Sequence, residues 1–334
     1  MSNELKHFIQ ECAQIVGTQI KEQEEENVSE QRKTKTKEYL VNGDNYFPNV
    51  QADRTSNLPA GAYECGMMMD GTLYLKPINI VTDSIVDIPD SGINEIVNDV
   101  RLFWSDAVTT KFKEYGLVKS RGLIGEGIAG SGKTIAMAKT AKMVINEFDG
   151  VVLFNPEPDM AKEFLRLIKD IEPNKKVMVM WEEFDSMLGR NESTLLSLLD
   201  GEIKVDNVIY LATTNYISRI PARIKNRPSR FAKIVTFTAP TREGREAFLK
   251  AKLHESDLHL LPSLLDASDG FVIDQVKDLI ISVCCFGYDI SSSVLKIQTM
   301  QNESVGLDDF NEETSKEYFK SNRKDSRGPL RPLR

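Results

Sequence analysis

Residues 127–134 combine glycines, a lysine and a threonine at a spacing suited to holding phosphate groups. They read Gly-Ile-Ala-Gly-Ser-Gly-Lys-Thr and fit the pattern G-x-x-x-x-G-K-[ST]. Leu123 and Ile124 indicate a strand before this stretch, and the residues after it are typical of a helix. Free backbone N–H groups and the positive end of a helix dipole both attract phosphate oxygens. We therefore predict a nucleotide-binding loop formed by Gly127, Ile128, Ala129, Gly130, Ser131, Gly132, Lys133, Thr134 and Ile135.

Two residues of this loop have predicted tasks of their own. A lysine at the position of Lys133 reaches the β- and γ-phosphates, and the hydroxyl of Thr134 is expected to bind Mg²⁺. The alternative is a glycine-rich turn with an incidental lysine, which the strand before it and the helix after it disfavour.

Two carboxylates follow the apolar run from Val177 to Trp181. Such a short run predicts a buried parallel strand, and its carboxyl end should lie beside the phosphate loop. We expect Glu182 to bind the metal and Glu183 to polarise an attacking water molecule. The alternative is that both residues only begin a helix, where acidic groups favour the helix dipole.

A polar residue ends another strand-like run, Val208–Ala212. Asn215 follows this run and could hold the water molecule from the neighbouring strand. A strand that ends in asparagine is common, so this signal is weak when taken alone.

The elements that must position these residues indicate an α/β fold. Residues 117–240 alternate strands and helices, a pattern typical of a parallel sheet, and form the predicted nucleotide-binding domain. A helical connector (91–116) precedes it and a helical lid (241–300) follows it. Further out we predict an amphipathic helix with a charged linker (1–37), a small β-rich N-terminal domain (38–90) and a basic flexible tail (301–334).

Several of these motifs together resemble the AAA ATPases, over roughly residues 115–280. Trp181–Arg190 is similar to the Walker B motif of that family, with Glu182 in place of the usual aspartate, and Asn215 matches its first sensor residue. The stretch Arg227-Pro-Ser-Arg230-Phe resembles the family's R-P-G-R-F, which carries two arginine fingers. The resemblance implies ATP and Mg²⁺ as cofactors, ATP hydrolysis, and a homo-oligomeric ring, usually a hexamer, in which these arginines act on the neighbouring subunit.

Within that family, two stretches resemble the mitochondrial chaperone that assembles respiratory complex III. They are Tyr115–Gly122 and Ala212–Arg219. Gly116 and Leu117, in the first of them, are also predicted to contact the nucleotide. We recognise neither the membrane anchor of that subgroup nor the aromatic-hydrophobic-glycine pore loop of AAA unfoldases in these residues. We therefore expect no membrane location and no processive threading of a polypeptide.

Composition narrows the classes of protein further. The net charge of -8 argues against a protein that coats nucleic acid with its whole surface. No apolar run approaches the roughly 20 residues that span a bilayer, and the four cysteines form no C-x-x-C pair. We therefore expect a cytoplasmic protein without a membrane partner.

Three functions are compatible with these features. The first is an ATPase that remodels a protein complex and recognises a protein substrate or adaptor through residues 1–115. The second is a nucleic-acid-associated ATPase, such as a helicase, a loader or a packaging accessory. Its support is the basic tail, with Lys316, Lys320, Arg323, Lys324, Arg327, Arg331 and Arg334. The third is a nucleotide-gated binding module with slow turnover. Its support is Glu182, which stands in place of the usual aspartate.

Overall fold

A sheet of ten strands forms the centre of the described part of the molecule. The computed structural model describes residues 39–42, 44–48, 54–80, 86, 88–89, 92–200, 205–227 and 230–300. The predicted amphipathic helix and basic tail lie outside these residues. The strands are β1 (Tyr39–Asn42), β2 (Asn45–Pro48), β3 (Arg54–Thr55), β4 (Gly61–Met67), β5 (Leu73–Ile78), β6 (Ser120–Gly127), β7 (Val151–Phe154), β8 (Val177–Trp181), β9 (Val208–Thr214) and β10 (Lys233–Phe237).

The strand order is β10-β6-β9-β8-β7-β4-β5-β2-β1-β3. The six strands from β10 to β4 run parallel, and the remaining pairs are antiparallel. The carboxyl ends of β6, β8 and β9, which carry the predicted site residues, therefore meet at one edge of the sheet.

Ten α-helices accompany the sheet in the described ranges. They are α1 (Gly92–Phe103), α2 (Asp106–Glu114), α3 (Lys133–Phe148), α4 (Pro158–Ile171), α5 (Phe184–Leu199), α6 (Ala222–Lys225), α7 (Arg242–Lys252), α8 (Leu261–Ala267), α9 (Ile273–Ile280) and α10 (residues 290–300). A π-helical turn, Ile281–Cys285, continues α9.

Helices cover both faces of the parallel sheet. On α4, Ala161, Phe164, Leu165 and Ile168 are buried at helical spacing against one face. Apolar residues of α1 and α3 pack on the other face. Because both faces are covered, every residue of β8 is buried, which is why this strand appears in the sequence as an unbroken apolar run.

The helices over residues 241–300, the predicted lid, have a core of their own. Phe248 of α7, Leu264 of α8 and Val276 of α9 are buried together, and Ile88 joins them from the segment before α1. The helices predicted for residues 241–300 are present, and they carry few side chains into the two cores of the sheet.

The N-terminal strands differ from our expectation of a separate β-rich domain over residues 38–90. They are strands, but β4 pairs in parallel with β7, with Ala62 opposite Val152. Tyr39 and Tyr63 are buried in the same core as Trp181. The physical reason is that β7 would otherwise leave a row of unpaired backbone groups at the sheet edge, and β4 satisfies them. Residues 39–78 therefore extend the central sheet.

A turn at Asp70-Gly71 follows β4. It joins β4 to β5 in a hairpin in which Met67 lies opposite Leu73. Gly71 has a φ of 84°, which glycine adopts without strain, and the Asp70 side chain accepts a hydrogen bond from the Thr72 N–H at 2.9 Å.

No helix in the described ranges is long and apolar enough to cross a membrane.

Candidate active site

The predicted phosphate loop joins β6 to α3. Gly130 and Gly132 adopt φ angles of 76° and 100°, a region that side-chain-bearing residues rarely enter. Gly132 immediately precedes α3, whose first turn has N–H groups without intrahelical partners. The loop therefore presents backbone donors at the N-terminus of a helix, as phosphate binding requires.

Lys133 is held against the loop from which it projects. Its Nζ donates to the carbonyl oxygens of Gly127 at 2.7 Å and Ile128 at 2.8 Å. Burial lowers the pKa of this lysine, and the nearby Asp274 carboxylate opposes that shift. The buried Ser131 Oγ has no hydrogen-bond partner in the described structure. A buried lysine and an unpartnered hydroxyl are groups that phosphate oxygens would satisfy.

The two predicted carboxylates directly follow β8. Glu183 has a φ of 48°, a left-handed conformation that is uncommon for residues other than glycine and is enriched at functional sites. The Glu182 N–H donates to Asn155 Oδ1 at 2.7 Å. Asn155 stands at the end of β7 and also has a positive φ, 46°. It thus fixes the backbone where the acidic pair leaves the strand.

One cavity of about 560 Å³ brings these groups together, a size within the range of small-molecule sites. Of the predicted residues, those that line it are Ala129, Gly130, Gly132, Lys133, Thr134, Ile135, Glu182, Glu183 and Asn215. Gly127, Ile128 and Ser131 belong to the same loop but do not line it.

Sequence reasoning missed several lining residues, among them Asn155 and Asp274. Asn155 carried a usable signal, because it is the first polar residue after an apolar strand, as Asn215 nearly is. Asp274 carried none, since it lies in the lid and only the folded chain brings it to the loop.

A hydrogen-bond network links the strands that bear the acidic and asparagine groups. The Thr214 hydroxyl, at the end of β9, donates to Asp185 Oδ1 at 2.5 Å and accepts from the Tyr216 N–H at 2.9 Å. Arg219 pairs with the other oxygen of Asp185 at 3.7 Å. Because Asp185 lies in the first turn of α5 and Thr214 precedes Asn215, this network fixes Glu183 relative to Asn215.

Comparison with known proteins agrees with this geometry. Residues 124–239 match the family model of the ATPase family associated with various cellular activities (AAA). This part of the chain is an AAA ATPase domain. The match begins at the carboxyl half of β6 and ends just beyond β10, so it contains the phosphate loop, the acidic pair and Asn215.

The relatives of this AAA domain are distant. An ATPase family AAA domain-containing protein of Arabidopsis thaliana is 25% identical over 60% of this chain and 18% of its own length. A proteasome-activating nucleotidase of Sulfurisphaera tokodaii is 24% identical over 62% of this chain and 58% of its own. Protein CdcH of Halobacterium salinarum is 27% identical over 56% of this chain and 28% of its own. The matches thus span less than two thirds of each relative.

The two arginines predicted as fingers of the AAA domain have different environments. Arg227 is exposed. The Arg230 side chain is only 4% exposed, and its guanidinium bonds both oxygens of Asp200 at 2.5 Å and also the Arg223 carbonyl oxygen. These bonds hold the pKa of Asp200 below its usual range. Within its own chain, Arg230 is therefore held by Asp200 and by the Arg223 carbonyl oxygen.

Gly116 and Leu117 are not brought to the cavity of the AAA domain. They lie just before β6, and the seven steps from Ser120 to Gly127 alone span about 23 Å at ~3.3 Å per residue. The Leu117 N–H donates to the Phe112 carbonyl oxygen at 3.0 Å, so this turn closes α2. The two residues therefore lie beyond the amino end of β6, whereas the loop follows its carboxyl end.

Proposed function

We propose that the AAA domain binds Mg²⁺-ATP in the cavity and hydrolyses it, with Glu183 activating the attacking water. The observation that carries this proposal is the meeting of Lys133, Glu183 and Asn215, from three adjacent strand ends, in one cavity. A cation for the phosphates, a carboxylate for the water and an amide to orient it are the parts that phosphoryl transfer to water requires.

The loop and the metal ligands have separate roles in this proposal. The backbone N–H groups before α3 bind the phosphates, and so does the Lys133 ammonium group. To do so, Lys133 exchanges its hydrogen bonds to the loop carbonyl oxygens for bonds to phosphate oxygens. Thr134 and Glu182 line the same cavity and offer the oxygen ligands that Mg²⁺ prefers in combination with substrate phosphates. The metal, when bound, neutralises negative charge on the phosphates. Glu183 accepts a proton from the water that Asn215 orients.

Arg227 supports the proposal of a ring, usually a hexamer. Its side chain is exposed and does not line the cavity of its own chain. A guanidinium that stabilises charge on the γ-phosphate would then come from the neighbouring subunit. Arg230 supports this role less well, because Asp200 already occupies its donors.

A protein complex is the proposed substrate. One matched relative is named a proteasome-activating nucleotidase, and the sequence around residues 115–122 and 212–219 resembles an assembly chaperone of respiratory complex III. Residues 1–115, which include the strands that extend the sheet, are the proposed recognition region. A nucleic-acid-associated ATPase remains the alternative, supported by the basic residues after position 315.

Steady-state ATP hydrolysis, with and without single- and double-stranded DNA, tests these proposals. We expect the intact chain to turn over ATP, Lys133→Ala to lose nucleotide binding, and Glu183→Gln to bind ATP while losing at least about 100-fold in turnover, in keeping with general-base catalysis. Full activity of Glu183→Gln would show that another group acts as the base. Turnover unaffected by DNA supports protein remodelling, whereas strong stimulation by DNA supports the alternative.

A further inference from the structure

The lid contributes one acidic side chain to the cavity, at the phosphate loop itself. Asp274 is the second residue of α9, and its N–H donates to the Gly130 carbonyl oxygen at 3.3 Å. A Cβ placed on Gly130 would lie 3.0 Å from Asp274 Cβ and 3.1 Å from Asp274 Oδ2. The lid and the loop therefore touch at a point where only glycine leaves room for the carboxylate.

This carboxylate does not cap its own helix. The Val272 N–H at the start of α9 donates to Gln275 Oε1 at 2.9 Å, so Gln275 satisfies that backbone donor. Burial lowers the pKa of Lys133, and the charge of Asp274 opposes that shift. Unlike Glu182 and Glu183, Asp274 comes from the lid, and the proposed metal binding and water activation do not use it.

We propose that Asp274 is a counter-charge that competes with the nucleotide phosphates for Lys133 and thereby couples nucleotide occupancy to the position of the lid. Phosphates in the loop would stand next to a like charge, so binding would be weaker than the loop alone allows. The same repulsion would push α9 away from Gly130. Such coupling is reciprocal: a lid held against the loop disfavours nucleotide, and bound nucleotide disfavours that lid position.

This inference rests on the proposed function, because it assumes that phosphates bind at Lys133. The test compares dissociation constants for ADP, measured by calorimetry on the full chain, between the wild type, Asp274→Asn and Asp278→Asn. Asp278→Asn is the matched control, since it removes the same charge from an exposed position of the same helix outside the cavity.

We expect Asp274→Asn to bind ADP about three- to fivefold more tightly than the wild type at low salt, the scale of an exposed charge interaction. The gain should shrink at about 0.5 M salt, where screening is stronger, and Asp278→Asn should match the wild type. The second variant Asp274→Ala should bind as tightly as Asp274→Asn, and thermal melting of each variant checks its folding.

Two results would overturn the inference, and they differ from a failure of the proposed function. Equal affinity of Asp274→Asn and the wild type would show that the carboxylate does not act on the phosphates. Weaker binding by both Asp274 variants would show that it instead accepts a hydrogen bond from the nucleotide. If the wild type itself binds no ADP, the proposed function fails, and this inference fails with it.

Discussion

At the scale of single residues, two arginines three positions apart in one motif have opposite environments. Arg227 is exposed, whereas Arg230 is buried in a two-bond pair with Asp200. A buried guanidinium that loses its carboxylate partner is costly, because the remaining charge stays out of water without compensation. The two positions should therefore respond differently to the same substitution.

We expect Arg230→Ala to destabilise the domain by about 1–3 kcal/mol, less than a fully buried pair because Asp200 is partly exposed. Arg227→Ala should leave stability within about 0.5 kcal/mol, as surface substitutions usually do. Chemical denaturation of both variants, with Asp200→Ala and the double variant to complete a cycle, measures the difference. Equal stability of all variants would show that the Arg230–Asp200 pair does not stabilise the domain.

Residue types and spacing were sufficient to predict which polar groups meet in the cavity. The phosphate loop, Glu182, Glu183 and Asn215 lie where the order of strands and polar residues placed them. Whether an arginine is free or paired could not be predicted, since Asp200 lies 30 positions before Arg230 in the chain. Asp274 escaped prediction for the same reason, because its place at Gly130 depends on how the lid packs.

At the scale of elements, the pairing of β4 with β7 makes residues 39–78 part of the central sheet and not a separate domain. Composition and turn signals predicted strands before residue 90, and the strands are there. The sequence could not show that β4 pairs with β7, because a strand's partner depends on long-range packing. Tyr63 of β4 is buried in the core that also contains Trp181, and its hydroxyl donates to the Pro59 carbonyl oxygen at 2.8 Å.

A shared core predicts that damage in β4 spreads to the whole sheet. We expect Tyr63→Ala to lower the free energy of unfolding by about 3–5 kcal/mol, as other aromatic truncations in cores do. Unfolding should remain a single transition. Tyr63→Phe, which removes only the hydroxyl, should cost about 1 kcal/mol.

Calorimetry measures the number of unfolding transitions, and a spectroscopic probe in each region shows which part unfolds in each transition. Two resolved transitions, with the parallel sheet melting as in the wild type, would instead support a separate N-terminal domain.

At the scale of the whole molecule, the proposed ring makes a site that no single chain completes. In such an assembly the phosphate loop and the exposed arginine that serves it belong to different subunits. Activity should then depend on the mixture of subunits as well as on each chain.

Mixing two inactive variants tests this arrangement. Lys133→Ala keeps Arg227 but cannot bind nucleotide, and Arg227→Ala keeps the site but lacks the arginine. Each alone should have little turnover, and a mixture should recover part of the wild-type rate, because a Lys133→Ala subunit can serve the site of its Arg227→Ala neighbour. The double variant Lys133→Ala, Arg227→Ala mixed with Arg227→Ala is the control. No recovery in the first mixture would contradict the shared site.

The parallel pairing of β4 with β7 also has a mechanical consequence. The hairpin after β4 exposes Met67 and Met69 at the same edge of the sheet as the phosphate loop. A pull on this tip along the strand would strain the backbone bonds between β4 and β7 in shear, all at once rather than one after another. Tension applied to the tip would therefore pass through β7 to β8, the strand that precedes Glu182 and Glu183.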